Sequence, residues 1–238
     1  MRVQGIMLDV DGTLVLSNDA HARAWVEAYQ ASGYQVAFAD VRRLIGMGGD
    51  KLMPALTPDL RPDDGVGKEI SARRKDVFLS QLAPELRPAP GARALVEEMR
   101  RRGLRLIIVS SATPEELQTL LKAAQVDDLL TEATTKGDVS QSKPAPDPVA
   151  VGLERLGLPP EACVMLGDTP YDIESAAKAG ASTVAVRCGG WDDADLRGAV
   201  AIYDDPADLL SHYDASPLAG ARFTAPYGED RDAPRSLA

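Results

Sequence analysis

The stretch Gly5-Ile6-Met7-Leu8-Asp9-Val10-Asp11-Gly12-Thr13-Leu14 is an apolar run that ends in two aspartates one residue apart, followed by a glycine turn. Side chains alternate across a pleated backbone, so both aspartates face the same way. Two carboxylates aimed at one spot repel by about 4 kcal/mol at roughly 4 Å and an effective dielectric of 20. A bound cation, a shared proton or a division of labour between nucleophile and acid relieves that repulsion. The plain alternative is a strand end with two solvated aspartates.

The rest of the chain frames the pair. Its 238 residues suit one large domain, or a domain carrying an insertion, with a sizeable core. There are 36 acidic against 26 basic side chains, a formal charge of −10, which opposes nonspecific attraction to nucleic acid or an anionic membrane. The two cysteines, Cys163 and Cys188, make neither a metal spacing nor a disulfide framework, which suits a reducing cytosol. With no signal-peptide pattern and no run of ~18 apolar residues, the expected location is cytoplasmic.

Residues 17–84 read as helical: Ala22, Trp25, Val26 and Tyr29 share one helix face, a glycine loop runs from Gly46 to Lys51, and a polar helix is expected over Val66 to Leu82. From Pro84 the pattern changes. The proline-rich segment to Gly91 reads as a hinge, and apolar strands are then expected at 104–109, 162–166, 183–186 and 200–203, with helices between them. Two helix starts carry an N-cap threonine, an N1 proline and acids in the first turn, at Thr113 and Thr169. Short apolar strands alternating with helices predict an α/β fold, a Rossmann-like doubly wound parallel sheet covered on both faces. The first strand must join that sheet. Residues 1–16 and 85–213 then form the core, 17–84 an inserted all-helical cap domain, and 214–238 a flexible tail.

In such a sheet ligands bind beyond the carboxyl ends of the strands. Asp9 and Asp11, Ser110 and Ser111, and Asp168 all follow predicted strands, and Lys143 sits in a Ser-Lys-Pro loop. Together they describe a phosphate and metal site. Each has a structural alternative: serines end strands, loop lysines are solvated, and Asp172 caps the helix that begins at Thr169.

With Asp9-Val10-Asp11-Gly12-Thr13, Ser110, Lys143 and Gly167-Asp168-Thr169-Pro170-Tyr171-Asp172 in this order, the chain resembles the haloacid dehalogenase-like superfamily, in its phosphatase branch with a helical cap. The resemblance implies that Asp9 attacks phosphorus and that Asp11 carries the proton, with its pKa held far above the ordinary value near 3.9. It implies phosphate binding by Ser110, Ser111 and Lys143, and Mg²⁺ held by Asp9, the backbone carbonyl of Asp11, Asp168 and Asp172. In the cap, His21, Arg43, Gly46 and Lys51 are candidates to meet the substrate. Leu16 stands where relatives with this cap often carry Asp. The implied activity is Mg²⁺-dependent hydrolysis of a small phosphorylated metabolite, such as phosphoglycolate or a sugar phosphate. A phosphomutase using the same aspartyl phosphate and a noncatalytic binding module are the alternatives.

Overall fold

The computed structural model describes residues 2–219. Six parallel strands form one sheet in the order β3-β2-β1-β4-β5-β6: β1 (Gly5–Leu8), β2 (Arg105–Val109), β3 (Ala133–Thr134), β4 (Cys163–Gly167), β5 (Ser182–Val186) and β6 (Ala201–Tyr203). The expected strands are all present. The two-residue β3 adds a strand that had no periodicity to betray it.

Helices α1 (Asn18–Ala31), α2 (Phe38–Arg42), α3 (Gly49–Leu56) and α4 (Gly65–Val77) lie between β1 and β2. The core helices are α5 (Ala92–Arg101), α6 (Pro114–Ala123), α7 (Asp147–Leu156), α8 (Pro170–Lys178) and α9 (Pro206–Ser211). Alternation along β1 shows how the two layers are filled. Ile6 and Leu8 pack with Leu95, Val96 and Met99 of α5, Leu117 and Leu120 of α6 and Leu209 of α9. Met7 points the other way, to Val149 and Leu153 of α7 and Ala176 of α8. No helix among the described residues is long and apolar enough to cross a membrane.

The inserted helices bury a cluster of their own, built on Ala22, Trp25, Ala28, Tyr29, Leu52, Met53 and Ile70. Their two connections to the core run side by side: Leu16 N–H donates to Arg87 O (3.0 Å) and Ala89 N–H to Leu14 O (2.9 Å), around a Val15–Pro88 bridge. Pro88 lacks an N–H, so this ladder is only a few bonds long and suits a hinge. Leu16 is 43% exposed there. The expected helix over Val66–Leu82 is α4 as far as Val77, after which the chain widens into one π turn, Phe78–Leu82. That turn seats Phe78 against His21, with stacked rings 3.9 Å apart.

The tail boundary needs correction. Ser216, Pro217 and Leu218 are buried, and Leu218 joins the cluster of α5 and α9, because this segment covers apolar surface the sheet would otherwise expose. The remaining part of the expected tail, 220–238, lies outside the described residues.

Candidate active site

Register brings the site residues to one rim. Leu8 pairs with Ile108 of β2 and Leu166 of β4, so Asp9, Ser110 and Asp168 all emerge at the carboxyl edge of the central strands. Strand β1 stops at Leu8, however, and Asp9 and Asp11 lie in the turn beyond it, facing different partners. Both aspartates line the one cavity, each held by its own partners. The chain folds back at Gly12, whose φ of +77° favours glycine and whose missing Cβ leaves room for Asn18 Nδ2 and the Asp168 carboxylate. Gly189 is needed for the same reason, because a Cβ there would run into Asp168.

Asp9, Asp168 and Asp172 are buried, with one carboxylate oxygen from each lying within 4.8 Å of the others. Lys143, 1% exposed, is the cation set among them: its Nζ donates to Asp9 Oδ1 (2.5 Å) and Asp172 Oδ1 (2.6 Å). Burial alone would lower the Lys143 pKa, but the two carboxylates raise it, so the side chain stays charged. Asp172 is both the cap of α8 and a partner of Lys143. Its Oδ2 accepts from the Thr169 N–H (3.1 Å) and hydroxyl (2.7 Å) in a capping box, leaving Oδ1 for Lys143.

Three carboxylates against one ammonium leave an excess of negative charge in a buried site. Burial, with Asp172 and Asp11 nearby, raises Asp9 from 3.8 to about 7 despite Lys143. Burial, Asp9 and Asp172 push Asp168 well above its ordinary value, although Asn18 and Thr13 donate to it. Three carboxylate oxygens this close, with negative charge to spare, are donors of the kind that could hold a hard divalent cation.

Asp11 is different. Its Oδ1 accepts from Ser17 Oγ (2.5 Å) and lies 2.8 Å from His21 Nε2. Burial would push its pKa up, but His21, Ser17 and Arg74 outweigh burial and hold it below the ordinary value. The expected upward shift at Asp11 is thus reversed, because the insertion supplies partners that strand alternation gives no hint of.

Asp9, Asp11, His21 and Lys143 line a cavity of about 60 Å³, bounded by Trp25, Gly46, Gly48 and Arg74 of the insertion and by Ser111, Ala112 and Glu116 of the core. It has room for roughly four waters. Ser111 lines it with a buried hydroxyl that has no partner, whereas Ser110 turns its Oγ to the Ala112 N–H (3.1 Å) and is not in the lining. Of the two serines expected at the phosphate, Ser111 alone lines this cavity. Of the insertion candidates, His21 and Gly46 reach the cavity. Arg43 and Lys51 do not. The Arg43 side chain is 70% exposed, facing Asp195 and the Trp191 ring, and Lys51 donates to Gln141 (2.8 Å) at the insertion–core seam. Both are held outside by the loop backbone between them.

Arg74, Glu116 and Asn18 were missed. Arg74 leaves α4 over the Trp25 ring to pair with Glu116 of α6, closing the insertion on the core. Neither residue carries a local signal: one lies in an exposed-looking basic run, and the other reads fully as a capping-box acid. Glu116→Gln keeps the capping box but removes the charge, and unfolding titrations of this variant are expected to show a loss of about 2 kcal/mol. Burial raises the Glu116 pKa, but Arg74, His21 and Thr113 lower it by more, to a net value below 4.5. The ion pair therefore stabilises fully above pH ~5, and its contribution disappears as pH falls through the folded pKa. A difference between the proteins that does not shrink in acid would refute this assignment.

A lysine and a carboxylate cluster at the rim of a parallel sheet, under a helical insertion, define a class of enzyme that handles anionic groups. The chain belongs to the haloacid dehalogenase-like hydrolases, whose family model matches residues 3–180. It is 30% identical over 218 residues to a phosphoglycolate phosphatase of Rhodospirillum rubrum, covering 87% of this chain and 89% of that protein. The protein CbbY of Rhodobacter capsulatus is 28% identical over 193 residues, covering 77% and 85%. A solved hydrolase from Pseudomonas syringae superposes with a TM-score of 0.84 at 29% identity, covering 89% of this chain and 98% of the other.

Proposed function

We propose that this enzyme is a Mg²⁺-dependent phosphatase of small phosphomonoesters, of the phosphoglycolate or sugar-phosphate type, acting through an aspartyl phosphate on Asp9. The observation that carries this reading is the buried group Asp9, Asp168, Asp172 and Lys143, of which Asp9 and Lys143 open into the small cavity under the insertion. Asp9 and Asp168, with Asp172 and the Asp11 backbone carbonyl, would hold the cation. When bound, the cation neutralises carboxylate and phosphate charge and polarises a phosphoryl oxygen.

Asp9 must be ionised to attack phosphorus. Its raised pKa in the metal-free protein means that positive charge is needed to free the carboxylate, and Lys143 supplies part of it. Attack forms the Asp9–phosphorus bond and breaks the ester P–O bond, with Asp11 giving the leaving oxygen its proton. Asp11 acquires that proton once a phosphate dianion enters, because nearby negative charge raises a carboxyl pKa. It then takes a proton from the water that hydrolyses the aspartyl phosphate. Ser17 and His21 orient it. Lys143 and the free Ser111 hydroxyl are placed to hold phosphoryl oxygens while charge redistributes. The closed insertion keeps bulk water out.

Cavity size favours a short substrate. Arg74 lends positive charge to the wall, but Glu116 already pairs with it, so size argues more strongly than charge. Phosphate release from phosphoglycolate and a panel of sugar phosphates tests the proposal. Turnover is expected with Mg²⁺, is lost in EDTA, and is greatest for the shorter esters. Isomerised sugar phosphate without inorganic phosphate would establish a mutase. No turnover, together with protein-partner binding that ignores Asp9→Ala, would leave a binding module.

A further inference from the structure

The helical insertion reaches the carboxylate cluster directly, through Asn18. This residue opens α1 immediately after the hinge, and its Nδ2 donates to Asp168 Oδ2 (2.8 Å) and to Gly189 O (3.0 Å). Both partners are acceptors, so the amide orientation is set by chemistry: nitrogen faces Asp168, and Oδ1 faces elsewhere. That Oδ1 is buried without a hydrogen-bond partner, and Asn18 is 4% exposed. Ser17, the N-cap residue, makes no side-chain cap and gives its hydroxyl to Asp11. The first turn of α1 therefore spends its polar groups on the site rather than on its own helix end. Arg42 of α2 provides a comparison: it donates to the same Gly189 carbonyl, braced by Asp19, but makes no hydrogen bond to Asp168.

We propose that Asn18 is a positioning residue for the cation site, fixing the Asp168 carboxylate from the insertion so that cation binding and seating of α1 on the core are linked. This rests on reading the carboxylate cluster as a cation site. A group that orients a ligand carboxylate commonly sets 10–100-fold of metal affinity. Linkage makes the effect reciprocal: if a seated α1 tightens the cation, the cation must hold α1 in place.

Calorimetric titration of Mg²⁺ into the substrate-free full chain tests this. Asn18→Ala and the near-isosteric Asn18→Leu, which keeps volume without a donor, are expected to weaken Mg²⁺ about tenfold or more. Arg42→Ala is expected to stay within about twofold of wild type, because it loosens the footing on Gly189 without touching Asp168. Thermal melts of the metal-free proteins establish that each variant is folded, and the leucine variant serves if the alanine one is not. In hydrogen exchange, Mg²⁺ should protect the first turns of α1 in wild type and not in the variants. Wild-type affinity in both Asn18 variants, an equal loss in Arg42→Ala, or wild-type α1 exchange indifferent to Mg²⁺ would overturn the proposal. Wild type that binds no cation would overturn it together with the cation site. Cation binding without phosphatase turnover would overturn only the proposed reaction.

Discussion

Asp9→Asn is expected to reduce phosphate release by on the order of 10³-fold or more while making the metal-free protein more stable at pH 8. The loss follows because an amide oxygen cannot form the acyl phosphate, and the other carboxylates lining the cavity, Asp11 and Glu116, are held by His21 and Arg74. The gain follows from burial. The folded state raises Asp9 from 3.8 to about 7, so folding favours the protonated form. That favourable contribution is complete below the unfolded value and is lost as pH rises through about 7. Above that, the wild type holds a carboxylate the interior disfavours, and Asn does not. Melting temperatures in EDTA at pH 5 and pH 8 check the sign: the advantage of the variant should grow with pH. An advantage that is flat or larger at pH 5 would mean that Lys143 already compensates the charge, and turnover near wild type would remove Asp9 from the reaction.

Lys143→Met should be the most damaging single change to the fold, costing about 3–5 kcal/mol without metal. The methionine fills most of the lysine volume, so the loss comes from charge rather than from a cavity. Asp9 and Asp172 would lose their shared ammonium while Asp168 stays beside them, 0% exposed, and the cluster is too buried for solvent to take the place of the ammonium. Urea unfolding at pH 8 in EDTA reads the cost, and Mg²⁺ should recover part of it, since a ligand that binds only the folded state stabilises it by mass action. Unchanged stability would show that the carboxylates are neutral in the fold and would remove the electrostatic argument for a cation. Phosphate release is expected to fall sharply too, because the same Nζ is placed to hold a phosphoryl oxygen.

Much of this site was legible in one dimension because its parts sit at the ends of strands. An apolar run, a turn glycine and a carboxylate at the same point identify the rim of a parallel sheet at Asp9 and Asp168. Thr169 and Asp172 announced their capping box through spacing alone. What stayed hidden was of another kind. Ser110 and Ser111 are neighbours of one type, and only the path of the backbone after β2 decides which hydroxyl is tied to Ala112 and which is free in the cavity. Arg43 and Lys51 flank the glycine loop as plausibly as Gly46 lies in it, yet the loop turns their side chains outward. Leu218 reads as part of a proline-rich tail, yet it is buried in the cluster that includes residues of α5 and α9.

The chain's local chemistry was enough for the sheet, the helical insertion, the four segments that carry polar site residues and the need for positive charge near Asp9. These follow from periodicity, turn chemistry and Coulomb repulsion, all of which act over a few residues. Long-range packing settled how the charges are shared. It gave Lys143 to Asp9 and Asp172, gave Asp11 to His21 and Ser17, paired Arg74 with Glu116, and brought Asn18 from the insertion onto Asp168. A pKa depends on which groups lie within a few ångströms in a dry interior, and residues separated by 150 positions become such neighbours only when the insertion closes on the sheet.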